Sequence, residues 1–219
     1  QLESGRIVLT VEKLLQIFTS PKSQITLLYG VSTHIIFSRR KNMKNDIKKL
    51  LTLIINQISN ANEEIYRPAS EVIGELASYN EYFTIEDTQF MINQLVEKIT
   101  SSETKTEAVA CIYTSLIDWA FAPSSIFAKS LSPELTVTLL NAISHSMSLP
   151  QTVKSTDPAV KYRACAPECA EVFLQTILNA FGFVPSEKGS DKFLSSHVEE
   201  GEVTWWAYGN TLLSIEKGE

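Results

Sequence analysis

The chain has 219 residues, of which 44% are apolar and 20% are charged, and its net charge at pH 7 is −6. A chain of this length buries a core without disulfides, and this balance is typical of a globular protein. The negative charge argues against nonspecific nucleic-acid binding, which needs a basic surface. Eight glycines and eight prolines are too few for a turn-rich all-β fold.

Apolar residues recur with the helical period from the N-terminus onwards. Each of the first three stripes predicts a helix, and Asn45 is the predicted N-cap of the third. The stripes are Ile7, Val8, Val11, Leu14, Leu15 and Phe18; Ile25, Leu28, Tyr29, Ser32, Ile35 and Ile36; and Ile47, Leu50, Leu51, Ile54, Ile55 and Ile58.

The middle of the chain continues this pattern. Pro68 is expected in the first turn of a helix, and Thr84 with Asp87 resembles a capping box that opens the next one. The three predicted stripes are Val72, Ile73, Leu76 and Tyr79; Phe90, Met91, Leu95 and Ile99; and Ala108, Cys111, Ile112, Ser115, Leu116 and Trp119.

Two helix starts combine a capping side chain with a following proline, at Ser132-Pro133 and Asp157-Pro158. The first predicts a helix through Leu135, Leu139, Ala142, Ile143 and Met147. The second predicts one through Val160, Ala164, Cys169, Val172, Phe173, Ile177 and Ala180. Because Pro167 would lie inside that second helix, we expect a kink or break near Ala164.

The predicted helices form pairs that recur along the chain. The first helix of each pair begins near residue 5, 45, 86 or 132, a spacing of roughly 40 to 46 residues that falls in the HEAT and armadillo range. Stacked hairpins share one continuous core, which a single hairpin cannot form alone. Residues 1–182 are therefore predicted to be an all-α, HEAT/armadillo-like solenoid, with a compact helical bundle as the alternative.

Residues 183–219 have a different character. A polar loop over 184–200 precedes two β-prone runs, 203–208 and 211–215, that are separated by Gly209-Asn210. This dipeptide between such runs predicts a β-hairpin in which Trp206 faces Leu213. The hairpin either closes the end of the solenoid or begins a following β-containing domain, since a lone hairpin is marginally stable.

No catalytic, cofactor-binding or metal-binding motif is found in the sequence. His34, His145 and His197 are scattered, and Cys165 with Cys169 would supply two metal ligands at most. The chain lacks a nucleophile elbow, a phosphate-binding glycine loop and a dinucleotide fingerprint. We therefore expect no enzyme activity and no cofactor, although an active site built from dispersed residues would leave no motif.

Two groups of residues are candidates for partner binding. Arg39, Arg40, Lys41 and Lys44 form a basic cluster that could meet an acidic partner or lipid phosphates, or could be a solvated loop. Trp205, Trp206 and Tyr208 are of the types that anchor interfaces, although internal packing is their more frequent role. The chain has no apolar run of about 18 residues and no signal sequence, so we expect a reduced, cytoplasmic protein without a transmembrane segment, for which peripheral membrane contact remains open.

The last third of the chain resembles a known junction. A long apolar helix ends in a G-x-x-P turn at Gly182–Pro185, and a polar loop leads to an N-T-x-L-S pattern at Asn210–Ser214. This arrangement resembles the tuberin and Ral GTPase-activating protein family, in which a helical solenoid leads through a strand pair into a Rap/Ran-type GAP domain. The similarity covers about 45 residues, and the region upstream agrees only in its helical character.

The resemblance implies a parent protein that accelerates GTP hydrolysis on a Ras-like small GTPase of the Ral, Rap or Rheb kind. In that family the catalytic asparagine lies on a helix of the GAP domain, which would follow Glu219. Asn210 lies in the predicted turn and does not match it. The chain would then be a scaffold that positions the GAP domain and binds a partner subunit. The alternative is a free-standing armadillo-like adaptor that binds protein partners in trafficking or transport.

Overall fold

The computed structural model describes residues 2–18, 20–40, 47–122, 126–149, 165–180, 203–208 and 211–216. Up to Ala180 the described residues are mostly in helices, which confirms the predicted helical class. The helices are α1 (Leu2–Ile17), α2 (Pro21–Arg40), α3 (Ile47–Asn56), α4 (Glu63–Leu76), α5 (Ile85–Thr100), α6 (Thr106–Ala120), α7 (Ile126–Ser130), α8 (Pro133–Met147) and α9 (Ala166–Ala180). Two 3₁₀ turns, Gln57–Ser59 and Ala77–Tyr82, follow α3 and α4.

The helices pack in two rows. In the first row α2 contacts α4, α4 contacts α6, and α6 contacts α9. In the second row α3 contacts α5, and α5 contacts α8, while the short α7 packs on α5 and α6. Neighbours within a row are two places apart along the chain, except that α5 and α8, and likewise α6 and α9, are three places apart. The apolar sides of the two rows face a shared core.

Two consecutive segments, residues 59–85 and 104–130, are joined by hydrogen bonds with a sequence offset of 44 to 46 residues. Ser115 Oγ donates to the Ser70 carbonyl oxygen at 2.6 Å, an offset of 45 residues. The Trp119 indole N–H donates to the Ile73 carbonyl oxygen at 2.8 Å, an offset of 46 residues. Lys105 Nζ donates to the Ala61 carbonyl oxygen, an offset of 44. The hydroxyl pair Ser59–Thr104 and the bond from Ser130 Oγ to the Ile85 carbonyl oxygen both span 45. Residues 59–85 thus run parallel to residues 104–130 without a slip in register.

The core follows the predicted stripes closely in α3 and α6. Ile47, Leu50, Leu51, Ile54, Ile55 and Ile58 are all buried, as are Ala108, Ile112, Leu116 and Trp119. Two predicted core members are instead exposed, Tyr79 by 42% and Val172 by 53%. Tyr79 leaves the core because α4 ends at Leu76 and the following turn contains a kink at Tyr79, which ends the helical period. Val172 lies on the outer side of α9.

Two predicted helix starts are confirmed. Thr84 and Asp87 form a capping box at α5, in which Asp87 N–H donates to Thr84 Oγ1 at 3.1 Å and Thr84 N–H donates to the Asp87 carboxylate at 3.1 Å. Ser132 Oγ accepts from the Leu135 N–H at 3.2 Å, and Pro133 is the first residue of α8. The predicted caps at Asn45 and Asp157 lie outside the described residues.

The prediction for Pro68 is wrong. Helix α4 begins at Glu63, where the Asn62 side chain accepts from the Glu64 N–H at 3.0 Å, so Pro68 lies inside the helix and leaves one helical hydrogen bond unmade. An N-cap followed by two acidic residues favours this earlier start. Pro167 is the second residue of α9, a position that proline tolerates. Residues 150–164, which contain the expected break, lie outside the described residues.

The described residues of the C-terminal segment form two strands, β1 (Val203–Tyr208) and β2 (Thr211–Glu216). The strands are antiparallel, with Trp206 opposite Leu213 and Tyr208 opposite Thr211. The residues between them, 209–210, and the preceding residues 181–202 lie outside the described part. Within the part of the chain that the structure describes, no helix is long and apolar enough to cross a membrane.

Candidate protein-binding groove

The basic cluster predicted from the sequence is described only in part. Arg39 and Arg40 are the last two residues of α2, and Lys41 and Lys44 lie outside the described residues. Lys48, in the first turn of α3, is exposed and places its ammonium 5.6 Å from the centre of the Phe90 ring. The binding role of this cluster therefore stays a prediction.

The predicted aromatic anchors lie on one strand. Trp205, Trp206 and Tyr208 all belong to β1, where Trp205 is opposite Ser214. Their side-chain surroundings lie outside the described part, and their role as partner contacts stays a prediction.

The histidines and cysteines are separated in the described structure. His34, on α2, pairs through Nε2 with the Ser38 hydroxyl at 3.2 Å, whereas His145 is exposed near the end of α8. Among the described residues no three histidine, cysteine or acidic side chains come together as metal ligands. All three cysteines are free thiols, and burial is the main cause that raises the pKa of each.

A groove of about 600 Å³ runs between the parallel helices α4 and α6 in the first row. The two backbones come close at Gly74, where an added Cβ would collide with the Asp118 carboxylate and would lie 3.6 Å from Ser115 Cα. The lining residues are Arg67, Ser70, Glu71, Gly74, Glu75, Ala77 and Ser78 from α4 and the turn after it, and Cys111, Thr114, Ser115, Asp118, Phe121 and Ala122 from α6 and its end.

Acidic side chains dominate this groove. Glu71, Glu75 and Asp118 line it, and within the described residues none of the three has an ion pair. The single arginine of the lining, Arg67, is bonded at 2.7 Å to the Glu63 carboxylate. The groove therefore has an excess of negative charge at the end where α4 and α6 finish.

Two pKa shifts reflect this environment. Burial against the α4 backbone raises the pKa of the Asp118 carboxyl, because desolvation disfavours the charged form. The phenol of Tyr29, on the neighbouring α2, also has a raised pKa, through burial first and then through the negative charges of Glu75 and Glu71. A positive charge placed nearby would lower both pKa values, because it favours the charged form of each group.

The groove has a polar floor. Ser115 donates its hydroxyl to the Ser70 carbonyl oxygen, whereas the Ser70 hydroxyl, which is buried, has no hydrogen-bond partner among the described residues. Buried hydroxyls are normally paired, so an unpaired one at the bottom of a groove is the kind of atom that a polar ligand satisfies.

The groove lining contains one thiol and three carboxylates. Cys111 is its one thiol, and burial raises the pKa of that thiol although Arg67 acts in the opposite direction. No histidine lines the groove, so Cys111 lacks the neighbouring base that activates a catalytic thiol. The three carboxylates instead provide acceptors for a cationic donor.

Sequence reasoning missed this groove. Glu71 and Glu75 stand four residues apart on the polar side of α4 and look like an ordinary solvated helix face. A shift of the sequence by about 45 residues, the repeat spacing, would have placed Ser70 beside Ser115 and Gly74 near Asp118. The repeat spacing was therefore the available signal.

Comparisons with protein-family models, with curated proteins and with solved structures gave no match to this chain.

Proposed function

We propose that this chain is part of a HEAT/armadillo-like α-solenoid that serves as a non-catalytic scaffold in a cytoplasmic GTPase-activating protein. The GTPase would be a Ras-like small GTPase of the Ral, Rap or Rheb kind. The scaffold carries the GAP domain and binds a partner subunit, and the pair of strands β1 and β2 is the proposed entry to that domain.

The nearly constant offset between residues 59–85 and residues 104–130 supports the solenoid part of this proposal. Hydrogen bonds from Ser59–Thr104 through Ser130–Ile85 all span 44 to 46 residues. Repeat proteins stack each unit on its neighbour by one fixed step, which produces such an offset. A closed bundle has no reason to keep it, because its helices pack around a common centre.

The GTPase part of the proposal is supported by the resemblance of Gly182–Pro185 and Asn210–Ser214 to the tuberin and Ral GTPase-activating protein family. The non-catalytic role rests on the same resemblance, because the catalytic asparagine of that family lies in the GAP domain. The asparagine that acts on GTP would then come from the domain after the scaffold.

A phosphate-release assay tests this function. The purified 219-residue chain should leave GTP hydrolysis by Ral, Rap and Rheb unchanged, and a longer protein that also contains the proposed GAP domain should accelerate it on at least one of them. Acceleration by the chain alone would show that the scaffold is not catalytically silent. A longer protein that is inactive on all three GTPases would remove the GTPase assignment.

The second candidate is a free-standing armadillo-like adaptor that binds protein partners in trafficking or transport. The groove between α4 and α6 favours it, because unpaired carboxylates in a groove of about 600 Å³ suit a peptide ligand better than a catalytic role. The two candidates differ in the sequence that follows Glu219, which is a GAP domain in the first and further helical repeats or no further sequence in the second.

A further inference from the structure

We infer that the groove between α4 and α6 binds an arginine side chain presented by a segment of a partner protein. The inference stands on the groove itself and holds whether the parent protein acts on a GTPase or serves as an adaptor.

Charge is the first reason. Glu71, Glu75 and Asp118 bring three negative charges to one stretch of the groove, and no described cation pairs with them. Arg67 lies one turn before Glu71 and is bonded to Glu63, so it does not neutralise this stretch. A ligand with a positive charge therefore complements it, and an anionic ligand would be repelled.

The helix ends and one aromatic ring also favour a positively charged ligand. Helices α4 and α6 are parallel and end at Leu76 and Ala120, so the partial negative charges of both C-termini lie at the acidic end of the groove. Phe121, which follows α6 and lines this end, is 68% exposed. An exposed ring beside carboxylates is suited to stacking on a guanidinium group.

The floor of the groove supplies the second, independent observation. Ser70 lines the groove and is only 2% exposed, and its buried hydroxyl has no hydrogen-bond partner among the described residues. A guanidinium group carries five N–H donors in a planar fork. It can therefore bridge carboxylates and also donate to a hydroxyl below them.

Arginine fits this arrangement better than lysine. Its fork forms bidentate bonds with carboxylates, it is more weakly hydrated than an ammonium group, and it stacks on aromatic rings. Lysine has a compact, strongly hydrated charge that would pair with the carboxylates but would not also contact the ring and the hydroxyl.

An NMR titration of the isotope-labelled 219-residue chain tests the inference. The probe is acetyl-Gly-Arg-Arg-Gly-amide, with its lysine and citrulline counterparts as comparison peptides. We expect the arginine peptide to shift backbone amides of residues 70–78 and 114–122, the lysine peptide to bind more weakly, and the uncharged citrulline peptide to cause no shift. The citrulline comparison needs no protein variant, so it is independent of any effect on folding.

Two matched variants distinguish specific binding in the groove from nonspecific electrostatic attraction to the chain. The groove variant Glu71→Gln/Glu75→Gln/Asp118→Asn and the control variant Glu12→Gln/Glu97→Gln/Glu103→Gln each remove three negative charges. Since an exposed ion pair contributes a factor of about two to five, the groove variant should raise the dissociation constant by about tenfold. The control variant should change it by less than about twofold.

Three results would overturn the inference. The first is equal weakening in the two variants, which would mean that net charge alone attracts the peptide. The second is the same shifts with the citrulline peptide. The third is self-association of the chain that only the groove variant abolishes, which would assign the groove to a second copy of this chain instead of a partner protein.

Discussion

Trp119 ties helices α4 and α6 of the first row together. It is the largest fully buried side chain among the described residues. Its indole N–H donates to the Ile73 carbonyl oxygen at 2.8 Å, and the Phe83 ring meets its ring edge-on at a centroid distance of 5.3 Å. The side chain thus joins α6 to α4 and to the turn after α4.

Trp119→Ala should lower the free energy of unfolding by about 3 to 5 kcal/mol, because truncation of a buried aromatic leaves a cavity. The control is Phe121→Ala, two residues on at a site that is 68% exposed, which should change the value by about 0.5 kcal/mol or less. Urea unfolding followed by circular dichroism measures both. Equal effects of the two variants would contradict the burial of Trp119.

Cys169 should be poorly reactive in the folded chain. Burial raises its pKa to about 11, with smaller contributions from Cys165, Cys111 and Glu168, whereas a cysteine in an unfolded chain titrates near about 8.5. Since the thiolate is the reactive form, alkylation at pH 8 should be about a hundredfold slower than in urea. Peptide mass spectrometry after iodoacetamide treatment measures this.

The same shift has a consequence for stability. A thiol with a raised folded pKa contributes stability that is fully present below the unfolded pKa and is lost as pH rises towards the folded pKa. For Cys169 that window runs from about pH 8.5 to about pH 11. Equal alkylation rates of Cys169 in the folded and unfolded chain would contradict its burial.

At the scale of the element, local sequence determines where helices begin when a cap is strong. Thr84 with Asp87 and Ser132 with Pro133 carry their capping chemistry in adjacent residues, and both starts were predictable. Pro68 was misplaced because Asn62, six residues earlier, supplies the cap and the helix tolerates the proline. Tyr79 was misplaced because a 3₁₀ turn interrupts the period, which apolar spacing alone does not show.

Removal of the capping hydroxyls should weaken α5 and α8. Thr84→Ala and Ser132→Ala should each lower the free energy of unfolding by about 1 kcal/mol, since each leaves a helix N–H without its acceptor. Thr114→Ala is the control, because Thr114 is exposed within α6 and alanine is the better helix former there. Chemical unfolding measures all three, and a Thr84 variant as stable as the Thr114 variant would contradict the observed capping box.

At the scale of the whole molecule, the repeat spacing was predictable but its consequences were not. Helix starts near residues 45, 86 and 132 agree with α3, α5 and α8, which begin at Ile47, Ile85 and Pro133. The predicted stripes do not state which helices become neighbours. The contact of Gly74 with Asp118 depends on the parallel packing of α4 on α6, and so does the acidic groove. That packing arises from tertiary contacts such as the bond from Trp119 to Ile73.

The arrangement in rows can be tested with spin labels at exposed positions on the helices of the first row. Thr26, Glu71, Thr114 and Glu171 are all exposed and lie on α2, α4, α6 and α9. Three double variants carry one cysteine at Thr26 and a second at Glu71, Thr114 or Glu171. In all of them Cys111, Cys165 and Cys169 are replaced by alanine. Electron paramagnetic resonance then measures the distance within each pair.

Packed helices are separated by about 10 Å. The distance from Thr26 should therefore rise in steps, from about 10 Å to Glu71, to about 20 Å to Thr114 and about 30 Å to Glu171. A distance to Glu171 that is no longer than the distance to Thr114 would mean that the first row folds back into a closed bundle, and it would contradict the stack on which the proposed scaffold and its groove depend.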